Sequence, residues 1–63
     1  MRLTEFWQRM DARFGGAYAR SVAADYRISA LGSTVNQALE NGVGPKEIWR
    51  AVCVEFEVPS QLR

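Results

Sequence analysis

The sequence predicts an all-α fold, a compact small domain of about four helices with a helix-turn-helix-like C-terminal half. Three observations predict it. Apolar residues recur at three- and four-residue steps in separate stretches, and glycine and proline fall between those stretches rather than inside them. Alternation of β-branched and polar residues is nowhere sustained, so no sheet is expected.

The first helix is predicted from about Thr4 to Phe14, because Leu3, Phe6, Trp7, Met10 and Phe14 lie on one stripe of a helical wheel. Thr4 suits the N-cap, and Glu5 suits the positive end of the helix dipole. Gly15-Gly16 ends the helix, since glycine enters the left-handed region without a Cβ penalty. Ala17 to Ile28 is alanine-rich with Tyr18, Val22 and Tyr26 four apart, which predicts a second helix laying small and aromatic residues against the first. Ile28 and Leu31 fit the end of that helix and a packed loop equally well.

Thr34 followed three residues later by Gln37 is a capping-box pattern, and Val35, Ala38 and Leu39 give a short third helix one buried face. Asn41-Gly42 closes it. Gly44-Pro45 opens the fourth helix, with proline at the first helical position, where its missing N–H would have no partner anyway. Ile48, Trp49, Val52, Cys53 and Phe56 form its apolar stripe, and Pro59 pushes Val58 out of helical geometry.

Sixty-three residues are expected to make one helical domain, 1–63, near the lower end of the length at which a chain buries enough apolar surface to fold unaided. Eight basic against seven acidic residues leave a net charge of +1, so no large field steers the protein as a whole towards nucleic acid or an anionic membrane. The lone Cys53 excludes an intramolecular disulfide and predicts a cytoplasmic address. The first residues lack a signal-peptide apolar core, and no run approaches the roughly 20 apolar residues that span a bilayer.

With no histidine and one cysteine, a Cys/His zinc site and a histidine-based catalytic triad are both impossible within one chain. Glu55 and Glu57, two apart on a helix, point in different directions and read as solvated surface charges rather than an acid–base couple. No glycine-rich loop ends in a lysine, so no cofactor is expected. Cys53 reads as a small buried hydrophobe with an inert thiol, the alternative being a redox sensor. The expectation is that the protein is not an enzyme.

Two binding readings follow. Two tryptophans, two tyrosines and three phenylalanines are many for so small an interior. Trp7, Tyr18, Trp49 and Arg50 are therefore the candidate partner-binding residues of a protein-interaction module, with a homodimer as one form of it. The second reading is DNA binding through the start of the last helix, by Lys46, Glu47 and Arg50, helped by Arg2, Arg9 or Arg13 if they share its face. Ala38, Gly42, Val43, Ile48 and Ala51 fit the spacing of a helix-turn-helix, whereas Gln37 and Asn41 stand where that pattern wants apolar residues. A structural two-helix corner without DNA binding is the preferred account of the motif.

The order of several pieces carries a family resemblance: Glu5-Phe6-Trp7, Phe14-Gly15, Ala38-Leu39, the run from Pro45 through Glu47, Trp49, Arg50, Ala51 and Val52 to Cys53, and the closing proline. Across essentially its whole length the chain resembles domain-of-unknown-function family 3046, short actinobacterial proteins of no assigned activity. Members are often encoded close to the recombinase RecA and its regulator RecX, so the resemblance implies a connection with DNA repair or its regulation. It implies no catalytic residues; Trp7, Trp49, Arg50 and Cys53 match the motif as positions only.

Overall fold

A computed structural model describes residues 1–63. Four helices carry the chain: α1 (Leu3–Phe14), α2 (Gly16–Asp25), α3 (Val35–Glu40) and α4 (Pro45–Phe56). Between α2 and α3 lies an antiparallel pair of two-residue strands, β1 (Arg27–Ile28) and β2 (Ser33–Thr34), and a single 3₁₀ turn, Ser60–Leu62, follows α4. The protein is thus mainly helical but not purely all-α.

The departure has a cause in helical geometry. The buried residues of α2 are Ala19, Val22 and Ala23, so one more turn would carry Tyr26 and Arg27 inward and Ile28 away from the core. Instead the backbone turns extended at Tyr26 (φ −88°, ψ 123°), Arg27 pairs with Thr34 and Ile28 with Ser33, and Ile28 becomes fully buried. Tyr18 and Tyr26, expected against α1 together with Val22, are left exposed, and only Val22 of the three is core.

The start of α1 also differs from expectation. The helix begins at Leu3 with Arg2 in the cap position and no side-chain cap, and Arg2 O accepts the Phe6 N–H; Thr4 is inside the helix rather than at its cap. Phe6 and Met10 of the expected stripe are buried, Trp7 and Phe14 are half-buried, and Leu3 is exposed. Gly15 ends α1 at φ 85°, a backbone region open to glycine, and its N–H returns to Asp11 O.

The capping box of α3 forms in both directions, with Gln37 N donating to Thr34 Oγ1 at 3.2 Å and Thr34 N to Gln37 Oε1 at 3.1 Å. At the other end, Gly42 N–H donates to Leu39 O and Val43 N–H to Ala38 O, the paired bonds of a Schellman turn. Pro45 occupies the first turn of α4, as expected. That helix ends in a second reversal, with Glu57 at φ 51°, ψ 49° and Val58 N–H donating to Cys53 O. Every one of the 14 buried residues is apolar, and they form one contiguous cluster to which all four helices and β1 contribute. Helix α1 packs on α2 and α4, and the 3₁₀ turn packs back on α1.

Candidate functional site

Two surfaces stand out, and they share no lining residue. The first is a file of aromatic rings. Tyr18 meets Phe14 edge-on at 5.9 Å between centroids, Phe14 meets Phe56 at 4.9 Å, and Phe56 meets Tyr26 at 4.8 Å. The middle rings are half-buried against the core, while Tyr18 is 62% exposed and Tyr26 43%. The file thus presents a tyrosine at each end. Arg13 lies over the Phe14 ring, 4.7 Å from its centroid.

Tyr26 is held by Glu55, whose Oε2 accepts from the phenol at 3.1 Å while Oε1 accepts from Ser29 N at 3.2 Å. Glu55 therefore clamps the β1–β2 connection to α4 and is not simply a solvated charge. The hydrogen bond and then the charge of that carboxylate push the Tyr26 phenol above its ordinary value of 10.0. Nothing in local sequence announces the clamp, because 26 residues separate Ser29 from Glu55.

The second surface is a cleft of about 620 Å³ between α1 and α4. Met1, Glu5 and Arg9 line one wall, four residues apart along the face of α1 and its approach. Lys46, Trp49, Arg50 and Cys53 line the other at the three- and four-residue steps of one face of α4, with Val54 beside them. Arg63 closes the end. The guanidinium of Arg9 donates to the Arg63 main-chain oxygen, and Arg63 Nε donates to Val58 O at 2.9 Å.

Half of the chain's eight basic side chains are gathered here with one acidic side chain, Glu5, which leaves four basic and six acidic side chains for everything else. A near-neutral total conceals a locally cationic cleft. Trp49 is 3% exposed, and its Nε1 has no hydrogen-bond partner. Burial pushes the Cys53 thiol up, against the opposing pull of Arg63 and Arg9.

The candidate residues are therefore dispersed. Tyr18 is on the aromatic file, whereas Trp49 is core and offers no exposed anchor. Trp7 is half-buried, with the Arg20 guanidinium 5.2 Å over its ring. Lys46 and Arg50 share the cleft with Arg9, but Glu47 lines a neighbouring groove with Ala30, Leu31, Arg50, Ala51 and Val54. Arg50 and Val54 reach both. Sequence reasoning missed Arg63 and the exposed Val54; the latter had a signal, since it stands off the apolar stripe of its helix.

No three His, Cys, Asp or Glu side chains converge as metal ligands do, and no helix is long and apolar enough to cross a membrane. What the fold and its two surfaces define is a small, mainly helical protein built from four helices and a short hairpin. Its family follows from comparison: the profile described as "Protein of unknown function (DUF3046)" matches residues 1–61, and the chain belongs to that family. No curated protein matches the chain, and no solved structure does.

Proposed function

We propose that this is a non-enzymatic protein-interaction module that docks its partner on the aromatic file around Tyr18. The carrying observation is the placement of Tyr18, 62% exposed at the end of edge-to-face rings that pack against the core. Tyrosine is among the residue types that dominate interface energetics, and a ring already packed against Phe14 loses less rotamer freedom on docking than a free one. Chemistry has little to work with, since the chain lacks histidine and its single cysteine is buried. The connection with DNA repair or its regulation implied by the family resemblance belongs to this proposal as the setting in which the partner is sought.

A photo-crosslinking residue placed at Tyr18, and in a second variant at exposed Gln8, tests the reading in the cells that make the protein. Adducts of discrete mass at position 18 and none at position 8 are expected. An adduct of twice the chain's mass would identify a second copy as the partner. Equal labelling at both positions, or none at 18, would refute the docking face.

One observation favours the second reading, DNA binding through the start of α4: Lys46 and Arg50 share their cleft with Arg9 and Arg63. Binding through phosphates predicts anisotropy titrations of a mixed-sequence duplex that weaken at least about tenfold between about 50 and 200 mM salt, and again on Arg50→Ala. Absence of binding at the lower salt removes the reading.

A further inference from the structure

We infer that the cleft between α1 and α4 is a binding site for an organic phosphate, with the phosphoryl group held among Arg9, Lys46, Arg50 and Arg63. Four cations converge on one concavity of a chain whose net charge is only +1, and Glu5 is the single carboxylate side chain among them. A cleft lined by one sign of charge focuses its field and raises the local concentration of the opposite ion. The gathering is one of position, not of composition.

Two of the four cations are already oriented by backbone. Arg9 spends one donor on the Arg63 main-chain oxygen, and Arg63 spends Nε on Val58 O, so the remaining donors of both forks are partly oriented. Pre-orientation of this kind reduces what binding must later order. Independently, Trp49 lines the same cleft, nine-tenths and more buried, with an indole N–H that has no acceptor. A buried donor without an acceptor, on a residue that lines a cationic cleft, is the complement of an anionic oxygen.

Size and apolar content narrow the ligand. About 620 Å³ lies within the range of small-molecule sites, roughly 300–1,000 Å³. Met1 and the 73%-exposed Val54 give an organic body apolar surface beside the cations. A phosphate monoester brings two charges and three oxygens to forks shaped for bidentate contact, where a simple carboxylate brings one charge and two oxygens. A concave site also suits a compact ligand better than the convex backbone of a duplex.

The test is a titration of the ¹⁵N-labelled protein followed at the assigned Trp49 indole N–H, with adenosine monophosphate, inorganic phosphate and acetate at matched ionic strength, and a DNA duplex in parallel. Adenosine monophosphate is expected to move the Trp49 signal saturably and downfield, and inorganic phosphate to move it in the same direction more weakly. Lys46→Gln and Arg50→Gln, both at exposed positions of α4, are each expected to weaken binding by about tenfold, the loss of one charge-assisted bond. No saturable shift below about 10 mM, or an equal shift with acetate, would overturn the site. Duplex binding without nucleotide binding would overturn it in favour of a nucleic-acid surface.

Discussion

Glu57 is the only non-glycine residue with positive φ, and replacing it by glycine should stabilise the protein. Its φ 51°, ψ 49° is the left-handed helical region, which costs an L-residue with a Cβ about 1–2 kcal/mol. Glycine escapes that cost but loses about 0.5–1 kcal/mol more backbone entropy on folding. The difference favours Glu57→Gly by about 0.5–1 kcal/mol. Removing a negative charge at the negative end of α4 adds a few tenths, about 0.3 kcal/mol at an exposed site. For a domain of this size, 1 kcal/mol moves Tm by about 4–8 °C, so a rise of about 3–10 °C is expected by circular dichroism. Glu57→Gln removes the charge but keeps the Cβ, and should recover only the smaller part. A glycine variant no more stable than the glutamine variant would show that the reversal carries no strain. The reversal matters to function because it brings Val58, whose carbonyl orients Arg63, back against the core.

Thr34→Ala removes the hydroxyl that caps α3 and should cost about 1 kcal/mol, read as a lower urea midpoint with an unchanged m value. Tyr26, with its phenol pushed up by Glu55, should titrate above 10.0 by absorbance in a Tyr18→Phe background, and Glu55→Gln should bring it back down. The folded state holds that proton more tightly than the unfolded one, so this contribution to stability is complete below the unfolded pKa of about 10 and declines as pH rises through the folded value. Cys53, buried and with its thiol pushed up, should react with a thiol reagent near neutral pH only as fast as the protein opens, and at once in denaturant; fast native labelling would revive the redox-sensor reading.

Elements governed by local chemistry were legible in the sequence. Gly15, Pro45 and the Thr34–Gln37 box mark their boundaries because each acts on backbone groups within a few residues of itself. The end of α2 was not legible, because periodicity alone lets a helix continue through Tyr26 to Ile28. What stops it is tertiary: Ile28 gains full burial by strand pairing, and Glu55, far along the chain, accepts from both Tyr26 and Ser29. A helix propensity worth a fraction of a kilocalorie per residue loses to a buried isoleucine, whose burial is worth about 1.5–3 kcal/mol.

The same locality explains what happened to the site. Net charge is a sum over the whole surface, and a sum of +1 is compatible with any arrangement of fifteen charged side chains. The fold partitions them by helix phase: Glu5 and Arg9 share one face of α1, Lys46 and Arg50 one face of α4, and packing α1 against α4 brings those faces together. The helical spacing within each face was readable, but the pairing of the faces was not, since Arg9 and Arg63 are 54 positions apart. Trp49 then acquires two roles from one position. Its ring completes the core against Phe6 at 6.2 Å, while its unpartnered N–H belongs to a residue that also lines the cationic cleft. Shrinking the buried Trp49 ring to phenylalanine leaves a cavity and costs stability on the order of 1 kcal/mol through packing alone. An N–H that receives an anionic oxygen adds a separate loss, so Trp49→Phe, compared with the native protein at a temperature where both are folded, should also weaken the binding of the phosphate.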